Sequence, residues 1–313
     1  MNMPFRFPIV TIQGPTAVGK SDLAFKLAKY LSTDIISADS RQVYKLLDIG
    51  TAKPNKKKLQ LVRHHLINKL FPDEQYNAGD FCLDARKIIY KMNKQNKLPL
   101  IVGGTGFYIK ALIGGLAKIP PIPFDIKLKI RKLYQQHPGE YLHQKLKKID
   151  PESAQRIESN DIQKISRALE VYESTGKTIS SFWEQQQPVN DLVSYDILLT
   201  DKRENIYKKI DRRLDKMLEN GLLNEIENLL KAGYKEDDPG MITVGYREFY
   251  PYFKNQKSSE KCLEEAKKNS RNYAKRQFTW FKKIDFDLTL TPNRINFFYV
   301  LKMIREFFVR ETE

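Results

Sequence analysis

Apolar residues in the N-terminal third of the chain occur in two patterns, short continuous runs and longer stretches with helical spacing. The runs at residues 8–13, 34–39 and 98–104 end in polar or glycine residues, which is typical of buried strands. Helical spacing covers residues 20–31 and the stretch from about Asp80 to Asn96. Because strands that alternate with helices form parallel sheets, the pattern predicts an α/β protein whose sheet is covered on both faces.

Three later stretches also have helical spacing. Residues 56–70 are basic, residues 204–230 predict one long amphipathic helix or a pair, and residues 258–283 predict another helix. The first of these contains two adjacent histidines, His64 and His65. Neighbours in sequence rarely face one ligand together, so we interpret them as a packed or surface pair and not as a metal site.

The chain changes character at KIPPIP, residues 118–123, where three prolines within six residues mark a boundary. Polar helices rich in Lys, Gln and Glu are predicted after it, and residues 188–200 return to strand-like apolar content. We therefore predict a core formed by residues 1–118 and 197–313, with a helical insertion over residues 119–196.

Composition narrows the class of protein. A chain of 313 residues with 41% hydrophobic and 29% charged residues is expected to be a soluble globular protein of one large or two modest domains. We expect no signal peptide and no membrane span, since no stretch approaches the roughly 20 apolar residues needed to cross a bilayer. The two cysteines, Cys82 and Cys262, exclude a disulfide scaffold and a four-cysteine zinc site, and a cytoplasmic location fits best.

The net charge of +16 adds a second constraint, because a positive surface attracts and steers polyanions. Nucleic acid is the usual partner of such a chain, and an anionic membrane is the rival. A lysine-rich composition without a specific partner is a third interpretation.

The stretch GPTAVGKS matches the phosphate-binding pattern G-x-x-x-x-G-K-[ST], with a strand before it and a helix after it. Its glycines let the backbone N–H groups point inward, and the following helix adds its positive end. The lysine supplies charge for terminal phosphate oxygens, and the serine supplies a hydroxyl ligand for Mg²⁺. The predicted phosphate-binding residues are Gly14, Pro15, Thr16, Ala17, Val18, Gly19, Lys20 and Ser21, with Ser21 as the metal ligand.

Phosphate binding does not identify the reaction. A kinase or NTPase binds a nucleotide in such a loop and transfers or hydrolyses its last phosphate. A prenyltransferase binds a diphosphate ester there and releases pyrophosphate. Both present a metal-bound diphosphate, so the loop itself suits either enzyme.

Two further loops follow predicted strands and should meet the first at one edge of the sheet, because ligands bind at the carboxyl ends of parallel strands. Asp39, at the start of the second loop, is a candidate Mg²⁺ ligand or general base, or else caps a helix. Thr105, in VGGTGFY, can donate to a substrate atom or simply cap the next helix.

Cations and aromatic residues interleave in RNYAKRQFTWFKK, residues 271–283. Arg271, Lys275 and Arg276 are candidate contacts to nucleic-acid phosphates, and the aromatic residues either stack on bases or pack in the core. The amphipathic stretch 211–223 contains Arg212 and Arg213, of which one or the other reaches the diphosphate, or both lie on a solvated helix face.

These motifs occur together in one order: GPTAVGKS, SADSRQVY, DIGTAKP, HHLI, VGGTGFYIKAL, DIQKISRALEVYESTGK and NYAKRQFTWFKK. The ensemble closely resembles the bacterial tRNA dimethylallyltransferases, also called tRNA isopentenyltransferases. The resemblance runs from about residue 9 to about residue 283 and is far more specific than the phosphate loop alone.

The resemblance implies a P-loop kinase-like α/β core with an inserted helical domain that contacts tRNA. It implies transfer of a dimethylallyl group from dimethylallyl diphosphate to N6 of adenosine 37, in tRNAs that read codons starting with U. It further implies a Mg²⁺-dependent monomer that binds the tRNA anticodon stem-loop and pulls the target base into a channel.

Residue roles follow from the same resemblance. Gly14 to Ser21 would hold the diphosphate, Asp39 matches the family's proposed general base, and Thr105 matches a residue near the reacting amine. Lys164 stands where an arginine is common, which keeps the charge but loses bidentate geometry. The implied tRNA contacts are Asp39, Ser40, Arg41, Gln42, Lys127, Gln163, Lys164, Ile165, Ser166 and Arg167.

Three other functions would require different features of the chain. A small-molecule kinase would consume ATP, whereas the transferase would ignore ATP and release pyrophosphate. An adenylate isopentenyltransferase would not need a basic insertion or the cationic track of residues 271–283. A non-catalytic RNA-binding protein would not need three polar loops with a metal-competent Ser21.

Overall fold

The computed structural model describes residues 6–187 and 189–312, which form two compact units. The first unit combines the described residues up to Gly114 with those from Val189 onwards, and the second begins at Gly115. None of the described helices is long and apolar enough to span a membrane.

A six-stranded sheet lies in the first unit, and every pairing in it is parallel. Its strands in chain order are β1 (Phe7–Gln13), β2 (Ile35–Ser37), β3 (His64–His65), β4 (Leu100–Gly103), β5 (Leu192–Leu199) and β6 (Leu288–Leu290). They are arranged β3-β2-β4-β1-β5-β6. Because all of the strands run in one direction, the loops that follow β1, β2 and β4 emerge at the same edge. The predicted fold class, an α/β protein with a parallel sheet flanked by helices, is confirmed.

Helices connect the strands in the first unit and make up the second unit. The first unit begins with α1 (Lys20–Tyr30), α2 (Lys56–Leu61), α3 (Ala78–Asn93) and α4 (Gly106–Gly114). The second unit contains α5 (Phe124–Gln136), α6 (Gly139–Ile149), α7 (Pro151–Arg156), α8 (Ile162–Thr175) and α9 (Ile179–Glu184). The first unit then continues with α10 (Arg203–Glu219), α11 (Leu222–Lys231), α12 (Tyr250–Phe253), α13 (Ser259–Phe281) and α14 (Phe297–Thr312).

Side chains that alternate along β1 belong to two different cores. Val10 and Ile12 belong to a large core to which α1, α10, α11, α13 and α14 contribute. Ile9 packs in a smaller core with residues of α3 and α4. Helices therefore cover both faces of the sheet, and strand periodicity assigns successive residues of a strand to opposite faces.

The second unit has a core of its own. Ile130 of α5, Leu142 of α6 and Leu169 of α8 are buried there with other apolar side chains. A buried carboxylate joins its two short helices, because Asp150 accepts hydrogen bonds from Ser153 N at 3.0 Å and Ser180 Oγ at 2.8 Å. The helical character of the second unit agrees with the prediction from the sequence.

The predicted C-terminal boundary of this insertion is wrong. Residues 192–196 belong to β5, which pairs with β1 from Leu192 onwards, so the chain has returned to the sheet before residue 197. The apolar content of residues 188–200 did predict the strand, but the boundary was placed inside it. The structure places the first boundary at Gly114, ahead of the proline-rich segment.

The predicted helix over residues 56–70 is also partly wrong. Only α2 forms there, and His64 and His65 form the two-residue strand β3 at the sheet edge. His64 Nδ1 lies 2.9 Å from Val62 O, and His65 Nε2 lies 2.9 Å from Asp34 Oδ2. Both imidazoles thus have local structural partners, in agreement with a packed pair.

Candidate active site

The loop between β1 and α1 has a backbone that depends on Gly14. Its φ is 147°, and a Cβ at this position would lie 2.0 Å from the carbonyl oxygen of Leu199, at the end of β5. Only glycine therefore lets the ends of β1 and β5 approach this closely. Ala17 and Gly19 also have positive φ values, of 63° and 105°, and the chain curls through them into α1. The predicted strand, loop and helix order is present.

The Lys20 side chain folds back over this loop. Its ammonium donates hydrogen bonds to the carbonyl oxygens of Gly14 at 2.9 Å and Pro15 at 2.8 Å. Burial lowers the pKa of Lys20 to about 8, an effect that the charge of Asp39 opposes and the charge of Arg213 increases. Lys20 is thus influenced by the charges of one carboxylate and one further cation.

Arg213, and not Arg212, faces the loop. Its Nη2 donates a 2.8 Å hydrogen bond to Thr16 Oγ1, while Arg212, the preceding residue on α10, is exposed. Burial lowers the pKa of Arg213 as well, and its buried Nε has no hydrogen-bond partner among the described residues. A buried N–H without a partner is costly, so this donor indicates a place for an anionic ligand.

Asp39 follows β2 and caps the turn that it begins. Its Oδ1 accepts hydrogen bonds from the backbone N–H groups of Arg41 at 2.8 Å and Gln42 at 3.3 Å. Capping was one of the roles left open by the sequence. Both of these bonds end on Oδ1, so neither amide occupies Oδ2. The charge of Asp39 raises the pKa of both Lys20 and Arg213, against the lowering by burial.

Thr105 follows β4 and lies between the second loop and α13. Its hydroxyl oxygen accepts a 3.3 Å hydrogen bond from Ser40 N. Its other partner is Tyr273. Burial raises the pKa of Tyr273 to about 12, and the charge of Asp39 adds to the rise. A hydrogen bond with Thr105 acts in the opposite direction and lowers this pKa. Thr105 therefore contacts the second loop through Ser40, the residue after the candidate base, and also a tyrosine of α13.

The remaining aromatic residues of the 271–283 segment divide between the two roles considered. Phe278 and Phe281 are buried in the first unit. Trp280 is half-buried, and its ring packs edge-on against Phe107 with centroids 6.3 Å apart. Tyr273 faces the site. Trp280 and the exposed Phe107 are thus the aromatic residues of this region that remain candidates for stacking on bases.

A carboxylate from α11 holds the segment that follows the second loop. Glu225 accepts hydrogen bonds from the backbone N–H groups of Asp48, Ile49 and Gly50 at 2.9, 2.8 and 3.2 Å. It also accepts a 2.5 Å bond from the hydroxyl of Tyr246. The DIGTAKP motif is thus fixed to the core by a residue that its own sequence does not contain.

Predicted tRNA contacts of the first unit mostly have intramolecular partners. Arg41 Nη1 donates to Pro239 O at 2.8 Å, and Gln42 Nε2 donates to Thr51 O at 3.1 Å. Arg271 Nη1 is paired with Asp211 Oδ1 at 2.6 Å. Lys275 and Arg276 are exposed. The two exposed cations are thus the most accessible members of this set.

In the second unit, Lys127, Gln163 and Lys164 are exposed, and Lys164 Nζ pairs with Asp161 at 2.6 Å. Arg167 lies 3.6 Å from Glu170, and the Ser166 hydroxyl is buried without a partner among the described residues. Ile165 is fully buried in the core of this unit. The predicted tRNA contact is therefore wrong for the Ile165 side chain, because helical periodicity turns that position inward.

Sequence reasoning missed Gln277 and left the role of Tyr273 open between stacking on bases and packing in the core. The two residues lie four residues apart on α13, so they share a helix face, and both reach the loop after β4. It also left undecided which arginine of α10 faces the phosphate loop. The signal that was available is the four-residue spacing of two polar side chains within an otherwise buried helix face.

The residues present fit a magnesium ion that keeps most of its water ligands. No group of three or more His, Cys, Asp or Glu residues suited to a metal occurs in the described part of the chain. Ser21, in the first turn of α1, is exposed and offers a hydroxyl oxygen. Such a donor set suits Mg²⁺ shared with substrate phosphates and does not suit an all-protein metal cage.

By its fold, the chain falls in the class of α/β proteins with a parallel sheet and a glycine-rich loop between the first strand and the first helix. More particularly, it belongs to the IPP transferase family, whose model matches residues 42–284. A tRNA dimethylallyltransferase of Thermoanaerobacter sp. (strain X514) is 42% identical over 289 residues, covering 89% of this chain and 90% of the relative.

Solved structures agree with this assignment. The crystal structure of tRNA delta(2)-isopentenylpyrophosphate transferase from Staphylococcus epidermidis has a TM-score of 0.68 and 36% identity, and the match covers 96% of this chain and 98% of that one. A eukaryotic dimethylallyltransferase, solved acting on tRNA, has a TM-score of 0.74 and 29% identity, with 88% and 69% of the two chains covered.

Proposed function

We propose that this protein transfers the dimethylallyl group of dimethylallyl diphosphate to a tRNA adenosine. The acceptor is N6 of adenosine 37, beside the anticodon, in tRNAs that read codons starting with U, and the products are N6-isopentenyladenosine and pyrophosphate. Family membership supports the reaction class. The observation that carries the proposal is that two half-buried cations lie at the phosphate loop. Lys20 bonds the carbonyl oxygens of Gly14 and Pro15, Arg213 bonds the Thr16 hydroxyl, and the charge of Asp39 acts on both cations.

The two cations act on the diphosphate. Gly14 to Ser21 surround it, and Lys20 and Arg213 stabilise the negative charge that grows on the pyrophosphate as the bond from carbon to oxygen breaks. Arg213 Nε, which is buried without a partner, gains an acceptor there. The Ser21 hydroxyl, together with the phosphates, would hold Mg²⁺, which would supply further positive charge to the leaving group.

The carboxylate acts on the acceptor. An exocyclic adenine amine is a poor nucleophile because its lone pair is delocalised into the ring. As the new bond from N6 to the dimethylallyl carbon forms, Asp39 Oδ2 takes the proton, and pyrophosphate leaves with the electron pair of the broken bond. Thr105, hydrogen-bonded to Ser40 N, orients the amine beside this oxygen.

Several groups supply the tRNA contact in this proposal. Lys275 and Arg276 on α13, together with Lys127, Gln163 and Lys164 of the second unit, contact the anticodon stem-loop, with phosphate contacts providing most of the affinity. The target base leaves the stack of the loop to reach Asp39. The protein acts as a monomer.

Incubation with isotopically labelled dimethylallyl diphosphate and an unmodified tRNA transcript tests the proposal. We expect labelled N6-isopentenyladenosine by mass analysis of the nucleosides and one pyrophosphate released for each group transferred. A transcript with guanosine at position 37 is the matched control and should remain unlabelled. Consumption of ATP in place of the diphosphate ester, or prenylation of free AMP with none on tRNA, would contradict it.

A further inference from the structure

One buried amide joins two of the loops at the site. Gln277 Oε1 accepts a 2.8 Å hydrogen bond from Thr16 N in the phosphate loop, and Gln277 Nε2 donates a 2.8 Å bond to Gly104 O in the loop after β4. The side chain is on α13, and the residue is only 6% exposed. Both ends of the amide are therefore used, and each end holds a different loop.

The chemistry of this link suits an amide. An amide has an acceptor and a donor side by side, so it can bond an N–H and a carbonyl at once without a change of protonation. The loop after β4 is shaped to receive it, because a Cβ at Gly104 would lie 2.4 Å from Gln277 Nε2. A glutamate at position 277 could still accept from Thr16 N, but as a carboxylate it would repel Gly104 O.

The linked residues are next to the chemistry on both sides. Thr16 also accepts the hydrogen bond from Arg213, so α10 and α13 both fix its position. Gly104 precedes Thr105, which Tyr273 contacts one turn earlier on the same helix. A change in the Gln277 link thus alters the spacing between the group that holds the diphosphate and the group that orients the acceptor.

We propose that Gln277 is a positioning residue that sets the distance between the diphosphate loop and the acceptor loop. Its role rests on the proposed function, since it assigns the two loops to the donor and the acceptor of the transfer. It does not contact the reacting atoms. Its effect is on the alignment of two bound substrates, for which a misplacement of about 1 Å costs about 100-fold in rate.

The test compares Gln277→Glu and Gln277→Met with the wild type. At neutral pH we expect kcat to fall about 100-fold in both variants, while the Kd for tRNA and the KM for dimethylallyl diphosphate stay within about threefold. Lowering the pH protonates the buried carboxyl of Gln277→Glu, which can then donate to Gly104 O. The ratio of its kcat to that of the wild type should rise as pH falls, and that of Gln277→Met should stay flat.

Hydrogen exchange gives a readout that is independent of catalysis. The Thr16 amide should lose protection in Gln277→Met and keep it in Gln277→Glu, because only the second retains an acceptor. Glu264→Gln, an exposed swap on the same helix, is the control and should change neither kcat nor exchange.

Two results would overturn the proposal. The first is kcat within about threefold of wild type in both variants although the Thr16 amide has lost protection in Gln277→Met. The second is a fall in kcat that is accompanied in both variants by a matching loss of thermal stability, with no recovery of kcat in Gln277→Glu at low pH. Failure of the proposed function appears differently, as absence of prenyl transfer by the wild type while the exchange pattern of the variants is as expected.

Discussion

The loops at the edge of the sheet and the helical unit that begins at Gly115 both contain predicted substrate contacts, and they hold these side chains in different ways. In the loops, Thr16 is hydrogen-bonded to Gln277 and Arg213, which are far away in the chain, and the charge of Asp39 acts on Arg213. In the helical unit, Lys127 and Gln163 are exposed, and Lys164 is paired with a residue only three positions away.

The difference corresponds to the work expected of each region. Chemistry on a diphosphate and an amine needs groups held to a fraction of an ångström, and burial with several partners achieves this. Contacts to RNA phosphates act through charge and tolerate mobile side chains. We therefore expect substitutions in the loops to change the rate strongly and the tRNA affinity little, with the opposite outcome in the helical unit.

The largest effect is expected at Asp39. Asp39→Asn keeps the shape and the acceptor for the Arg41 and Gln42 amides but cannot take the proton, so kcat should fall by about 10²- to 10⁴-fold. Single-turnover assays measure the rate, and filter binding should show a tRNA Kd within about threefold of wild type. Loss of tRNA binding in proportion to the rate would assign Asp39 to RNA recognition and remove its role as base.

The paired arginines of α10 provide the next test. Arg213→Met removes a half-buried cation that bonds the diphosphate loop, so kcat/KM for dimethylallyl diphosphate should fall about 100-fold. Arg212→Met removes the same charge from an exposed position and should stay within about twofold. Steady-state kinetics with saturating tRNA measures both, and equal losses would show that net charge matters and geometry does not.

The pH dependence tests the burial of Lys20. Its pKa is lowered from 10.5 to about 8, so the ammonium is charged below this pH and neutral above it. Above it, kcat/KM for dimethylallyl diphosphate should fall about tenfold per pH unit, because the anion loses its partner. Lys20→Arg stays charged and should remove this break.

Loss of folded protein cannot explain a fall of kcat/KM above pH 8 that is caused by deprotonation of Lys20. The folded pKa of about 8 lies below the unfolded value of 10.5, so the unfolded state binds more protons between these two values. Stability contributed by this group therefore rises with pH across the window, opposite to the expected activity. Urea unfolding of wild type and Lys20→Met at several pH values separates the two effects.

The smallest effect is expected in the helical unit. Lys127→Gln removes one exposed cation, so tRNA affinity should weaken about threefold at physiological salt and the slope of log Kd against log salt should decrease by about 0.7–0.9. Lys129→Gln, on the same helix but paired with Glu173, is the control and should change the slope less. A loss of kcat at saturating tRNA would mean that this region positions the substrate for chemistry.

Much of the sheet and of the phosphate loop could be predicted because their signals are local. The helix predicted over residues 20–31 is α1, and the strand predicted over residues 98–104 contains β4. The stretch 204–230 forms the pair α10 and α11, which a short turn containing Gly221 separates. In each case periodicity and the placement of glycine act between neighbouring residues.

The elements that were missed have weak local signals. β3 and β6 contain two and three residues, and they are strands because adjacent strands offer them a hydrogen-bonding edge. The boundary at residue 196 was wrong for the same reason, since the N-terminal part of β5 is defined by its pairing with β1. Ile165 was assigned to tRNA because its motif was read as one block, although helical geometry buries one residue of that block.

By itself, the sequence of this protein determined the class of fold, the conformation of the loop from Gly14 to Ser21 and the candidates for its chemistry. Backbone φ values, helical period and charge are properties of a residue and its near neighbours, and they can be interpreted in one dimension. Tertiary structure alone decided that Arg213 and not Arg212 faces the loop, that Tyr273 meets Thr105, and that Gln277 bonds Thr16. These contacts depend on helix rotation and sheet order, and the last joins residues 261 positions apart, a separation at which local sequence carries no information on geometry.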